Sequence, residues 1–247
     1  MANESILIID DSPVNLKLAR ILLASEGYLI RTARDATEAL STLSTFRPHL
    51  ILTDVQLPGI DGLELTRRIK ANPDTPDITI VALTAYAMKG DEEKALSAGC
   101  DGYITKPFVV QELLLQVRKY LDTVHQRSSA SPTASRRVLA AEDDPVESLQ
   151  DIVQEFLSEG ETQSRRLREE VKTGLNVAAT KVLVHQWAGT GGTVGFPQIS
   201  HVAFEIENLL EDSSSDIEEL ETHFRELVKL FSDALQSRQD VEPLRPE

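Results

Sequence analysis

Several polar residues stand at the ends of short apolar runs. Asp10 and Asp11 follow Ile6–Ile9, Asp54 follows Leu50–Thr53, Thr84 follows Ile78–Leu83, and Lys106 follows Gly102–Thr105. If the runs are parallel strands of one sheet, all five groups meet at its carboxyl-end rim, where open α/β sheets gather functional groups. Three carboxylates brought together repel unless a cation joins them, and oxygen-only ligation suits a hard ion such as Mg²⁺. Lys106 adds a fixed positive charge and Thr84 a hydroxyl, both suited to holding the oxygens of a phosphoryl group on a carboxylate. The chemistry implied is phosphoryl capture by an aspartate. A second candidate, His185, lies in VLVHQWAGTGGTVGF, with Ala188, Gly189 and Gly192 following on the same helical face. An exposed, largely neutral imidazole can attack an aspartyl phosphate, and small residues around it leave room for a docking protein. An incidental histidine in a glycine-softened helix is an equal reading of these residues alone.

Positioning the first five groups requires alternating strands and helices. Candidate strands are Ile6–Ile9, Leu29–Ala33, Leu50–Thr53, Ile78–Leu83 and Gly102–Thr105. Helical spacing marks Asn15–Ser25, Ala36–Thr45, Leu63–Ala71, Glu92–Ala98 and Val110–Val124. Residues 1–125 therefore read as an α/β domain with a doubly wound, five-stranded parallel sheet. Residues 126–137, QRSSASPTASRR, offer nothing large to bury and read as a flexible linker. From 138 to 240 only helical patterns occur, over Val146–Lys172, Val177–Gly189, Gln198–Leu210 and Asp216–Gln236. This is the pattern of an all-α four- or five-helix bundle. The segment VLAAEDDP at Val138 echoes ILIIDDSP, but no later strand pattern follows. Asp143 or Asp144 is expected to cap a helix, with Pro145 in its first turn. The tail VEPLRPE is expected to be disordered.

The net charge of −15 over 247 residues is concentrated beyond Val138. Such a surface repels nucleic acid, so protein partners are expected and a DNA-binding output is not. No apolar run approaches the roughly 20 residues a membrane-spanning helix needs, and MANESILIID lacks the basic region of a secretory signal. With a single cysteine, Cys100, these features point to a cytoplasmic protein.

The motifs DDSPVN, DVQLPGIDG and ALTAYAMKGDEEKALSAGCDGYITKPF, with their spacing, resemble the receiver domain of response regulators. The resemblance covers about half the chain and implies a flavodoxin-like fold. By position it makes Asp54 the phosphoacceptor. Asp11, Asp54 and the backbone carbonyl of Gln56 would ligate Mg²⁺, with Asp10 acting through water. Thr84 and Lys106 would bind the phosphoryl group, Tyr103 would be the aromatic that turns inward on phosphorylation, and Pro107 would follow a cis peptide bond.

FLSEGETQSRRLREEV followed by VLVHQWAGTGGTVGFPQISHVAFEIENLL resembles a histidine-containing phosphotransfer (HPt) domain, with His185 as phosphoacceptor. His185 and Gly189 match the family core, and Glu205 or Glu207 falls in the following helix. Trp187 replaces a leucine and Ala188 the usual lysine. Together the resemblances imply a phosphorelay carrier with self-catalysed aspartyl phosphorylation and dephosphorylation rather than a turnover enzyme. Its partners would be a sensor or hybrid histidine kinase or other receivers. The competing expectation is an interaction protein switched by phosphorylation, with a helical domain that docks without transferring.

Overall fold

Alternate residues of the central strands face opposite sides of a sheet, and in this protein both sides are covered. The structure, a computed structural model, describes residues 4–73, 75, 78–84, 91–106, 110–128, 148–211 and 217–239. Strands β1 (Ser5–Ile9), β2 (Leu29–Ala33), β3 (Leu50–Asp54), β4 (Thr79–Thr84) and β5 (Gly102–Thr105) alternate with α1 (Pro13–Ser25), α2 (Ala36–Leu43), α3 (Gly62–Ala71), α4 (Asp91–Ser97) and α5 (Val110–Ser128). Ile6, Ile8, Leu50, Leu52, Val81 and Leu83 pack with Leu16 and Leu23 of α1 and with Leu113 and Val117 of α5. Leu7, Ile9, Ile51, Ile80 and Ala82 pack with Ala39 of α2, Leu65 and Ile69 of α3, and Ala95 of α4. Burial on both faces explains why β1, β3 and β4 read as largely apolar runs. Truncating Ile51 or Leu65 to alanine in such a core costs about 2–5 kcal/mol.

The strands pair in parallel in the order β2-β1-β3-β4-β5. The order reverses between β1 and β3, whose register pairs Ile9 with Thr53. Asp10 and Asp54, the next residue of each strand, are thereby neighbours at the reversal point, where such sheets place their sites. The strands and helices lie within a few residues of the ranges expected from sequence.

The end of α5 differs. The expected linker begins at Gln126, yet α5 continues through Gln126 and Arg127 to Ser128, since nothing in QRS breaks a helix. The rest of the linker, the Asp143–Asp144–Pro145 cap, the residues from Pro107 to Val109, and the tail lie outside the described residues.

The chain divides into two compact units, Met1–Val146 and Glu147–Glu247. Among the described residues the second holds four helices: α6 (Leu149–Thr173), α7 (Val177–Thr190), α8 (Pro197–Glu211) and α9 (Ile217–Gln239). Helix α6 starts at Leu149 rather than at the expected Val146. Ser148 Oγ accepts the Asp151 N–H at 3.2 Å while Asp151 Oδ2 accepts the Ser148 N–H at 3.0 Å, a reciprocal capping box. Helix α6 packs on α9, α7 on α8, and α8 on α9. Phe231 joins these layers, its ring 5.6 Å from those of both Phe156 and Trp187. Trp187 is therefore a buried packing residue.

Candidate functional sites in the two units

The residue after β1 must leave the sheet and start a helix, and that turn fixes Asp10. Ser12 caps α1 by accepting the Asn15 N–H, with Pro13 in the first turn. The Ser12 N–H bonds Asp10 Oδ1 at 2.9 Å, and the Asn15 carboxamide reaches both Asp10 oxygens, at 3.1 and 3.2 Å. Asp54 ends β3 with its Oδ1 accepting the Gln56 N–H at 3.1 Å. The chain then returns through the turn at Gly59 to Asp61, which caps α3, and the Gly62 N–H donates to the Val55 carbonyl at 2.9 Å. A Cβ at Gly62 would fall on the Asp54 carbonyl oxygen, so glycine is needed there for a close backbone approach that holds Asp54 in place.

Lys106 enters from the end of β5, its N–H bonded to the Thr84 carbonyl at 2.6 Å. Its ammonium lies 2.7 Å from Asp10 Oδ2 and 2.6 Å from Asp54 Oδ2. All three residues are buried. Burial pulls the Lys106 pKa down, but the charges of Asp10 and Asp54 more than offset it, holding the ammonium above its ordinary range. Repulsion between these carboxylates does not by itself demand a metal, because Lys106 already compensates two of them. The donor set nevertheless suits one: Asp10, Asp11 and Asp54 each offer an oxygen, all within 4.8 Å of one another, and three clustered carboxylates exceed one ammonium in charge. Thr84 is buried at the end of β4. The structure thus brings the carboxylates, Thr84 and Lys106 to one rim of the sheet.

Tyr103 is half-buried on β5, its hydroxyl donating to Glu92 of α4 at 3.2 Å. That hydrogen bond, with the negative charge of Glu92, holds the phenol above its usual range. It ties the ring to α4 in this structure.

His185 departs from its expected surroundings. It sits in the middle of α7 with only 12% of its side chain exposed, and its Nδ1 lies 2.9 Å from Glu207 Oε1 on α8. The small residues beside it serve helix packing, because Ala188 and Gly189 are buried. A Cβ at Gly191 would approach the Ser200 backbone nitrogen to 2.9 Å, so α7 turns away directly over α8. A carboxylate only accepts, so in this contact His185 Nδ1–H is the donor and Glu207 Oε1 the acceptor. Of the two glutamates expected in the following helix, Glu205 instead faces His201 at 3.5 Å and His223 at 3.7 Å. Glu207 carries a signal weaker than a motif, a glutamate buried on an amphipathic helix, whereas Asn15 closes the DDSPVN motif without a role that its spacing assigns.

Among the described residues no helix is long and apolar enough to cross a membrane. Residues 6–118 match the response regulator receiver domain and residues 151–238 the Hpt domain. The polar-differentiation response regulator DivK of Brucella anthropi is 41% identical over 118 residues, 48% of this chain and 96% of that protein. Among solved structures, the receiver domain of a sensor histidine kinase from Pseudomonas aeruginosa PAO1 is 36% identical, with a TM-score of 0.46, covering 49% of this chain and 99% of that one. The receiver domain of a signal transduction histidine kinase from Syntrophus aciditrophicus is 34% identical, with a TM-score of 0.47, covering 53% and 99%. The receiver match spans the buried aspartate pocket and the Hpt match spans the histidine–glutamate pair, so the chain belongs to the response-regulator family and is a two-component phosphorelay protein that joins a receiver to an Hpt domain.

Proposed function

We propose that Asp54 is the phosphoacceptor of the receiver and His185 that of the Hpt domain, so that the chain carries phosphoryl groups between protein partners. The observation that carries the Asp54 assignment is its buried carboxylate between the Lys106 ammonium and the Asp10–Asp11 pair. An Asp54 oxygen attacks the phosphorus of a phosphohistidine or small phosphodonor, and the donor's P–N or P–O bond breaks with its electron pair leaving on the donor. Lys106 and the Thr84 hydroxyl take the phosphoryl oxygens, and the resulting pull on Thr84 frees Tyr103 to exchange its Glu92 contact for an inward position. Asp11, Asp54 and the Gln56 carbonyl would hold Mg²⁺, with Asp10 acting through water; bound there, the ion supplies positive charge against the transferring group. Self-catalysed phosphorylation and hydrolysis of Asp54 follow from the same pocket.

At the second site His185 Nε2 attacks the phosphorus of a partner receiver's aspartyl phosphate, and the broken P–O bond returns a carboxylate to the donor. Glu207 compensates the positive charge that develops on the ring. Ala188 offers no ammonium to the phosphoryl group. The partners are sensor or hybrid histidine kinases and other receivers. Exchange in the cytoplasm fits the single, free Cys100. In the test, a labelled phosphorylated receiver is mixed with the full chain carrying Asp54→Asn, so that only His185 can accept. Acid-labile label that disappears in the Asp54→Asn/His185→Gln double variant is expected. No label from any donor receiver of the source organism would make the helical unit a docking module.

A further inference from the structure

Asp10 is held from both sides of its carboxylate. Both of its oxygens carry donors: Oδ1 accepts from the Ser12 N–H at 2.9 Å and Oδ2 from Lys106 at 2.7 Å, and the Asn15 carboxamide bridges the two at 3.1 and 3.2 Å. Asn15 does not close the helix cap with this group, since its backbone N–H serves that bond to Ser12 Oγ. The carboxamide sits in the first turn of α1, and the turn between Asp10 and the helix is only as long as Asp11 and Ser12. The amide therefore approaches Asp10 from a rigid element.

We propose that Asn15 is a positioning residue of the metal site: its carboxamide fixes the Asp10 carboxylate as an outer group, so that a divalent cation is taken up by Asp11 and Asp54 while Asp10 works through water and stays engaged with Lys106. This rests on reading Asp10, Asp11 and Asp54 as the magnesium site. Four donor contacts, from Ser12, Lys106 and twice from Asn15, leave the Asp10 carboxylate few lone-pair directions, and turning it toward the ion breaks charge-assisted hydrogen bonds. Without the amide, Asp10 loses the contact that spans both oxygens and keeps only the Ser12 N–H and Lys106 to set its orientation. Removing such outer partners weakens metal sites by about 10–100-fold.

The test is calorimetric titration of Mg²⁺ alone into the metal-free full chain, as wild type, Asn15→Ala and Asn15→Leu, with urea unfolding of each in chelator. The leucine variant keeps the bulk of the side chain and removes only its hydrogen bonds. Both variants are expected to bind Mg²⁺ about tenfold more weakly, with metal-free unfolding midpoints close to wild type. Wild-type affinity in both variants overturns the proposal, and a lowered unfolding midpoint at unchanged affinity shows a purely structural role. If the wild-type chain itself shows no saturable Mg²⁺ binding, the magnesium reading fails and the positioning role fails with it, an outcome distinct from a loss confined to the variants.

Discussion

The two proposed acceptor sites present opposite kinds of nucleophile. Asp54 sits in a buried pocket with Asp10 and Lys106, and its backbone is fixed by the close approach of Gly62. A carboxylate is a weak nucleophile, so reaction requires the field of its surroundings to gather an anionic phosphoryl group against it. In the proposed transfer His185 needs less: an imidazole is nucleophilic as it stands, and one carboxylate, Glu207, holds the ring through Nδ1. Four strand ends therefore build the first site, whereas two packed helices build the second.

The largest effects separate the two sites. Asp54→Asn should abolish loading from a small phosphodonor, by more than about 100-fold, without preventing His185 from accepting label from a donor receiver. His185→Gln should do the reverse; both are read by phosphate-affinity gels. Loss of both activities in either single variant would break the separation.

Packing variants draw the same line in stability. Trp187→Ala removes the ring set against Phe231 and should cost about 3–5 kcal/mol in urea unfolding of the helical unit, leaving Asp54 loading intact. Gly62→Ala drives a methyl onto the Asp54 carbonyl and should cost about 1–3 kcal/mol, with a lower loading rate at Asp54 and unchanged loading of His185.

Glu207→Gln keeps the shape of the pair but removes the charge, and stopped-flow transfer to His185 should slow on the order of tenfold. A smaller effect concerns acid stability. The Ser232 hydroxyl, then Arg165, hold the Glu161 carboxyl below its usual range. Because its folded-state pKa is depressed, its contribution is present above the unfolded carboxylate pKa and lost as pH falls through the folded value. Unfolding midpoints of the helical unit, measured down the acid limb, should fall less steeply in Glu161→Gln.

The receiver is readable because its chemistry sits at strand ends and its central strands are largely apolar runs: Asp10, Asp54, Thr84 and Lys106 can each be placed by the run before it. Asn15 is not, since its partner is chosen by the turn through Ser12 rather than by helix periodicity. In the helical unit, the small residues Ala188 and Gly189 suggest room for a partner in sequence but are spent on packing. Sequence spacing shows which residues share a face of a helix, not which face lies inward. Glu205 and Glu207 were likewise indistinguishable until α8 was set against α7. The extension of α5 to Ser128 was missed because polar residues of ordinary helix propensity look the same in a linker and in a solvated last turn.

The central claim, that Asp54 is the receiver's phosphoacceptor, is tested most directly by exposing the full chain to a labelled small phosphodonor with Mg²⁺ and then to hydroxylamine, which cleaves acyl phosphates and leaves phosphoramidates. Wild type and His185→Gln should carry label that hydroxylamine removes, and Asp54→Asn should carry none. Hydroxylamine-sensitive label on Asp54→Asn at wild-type levels would contradict the account.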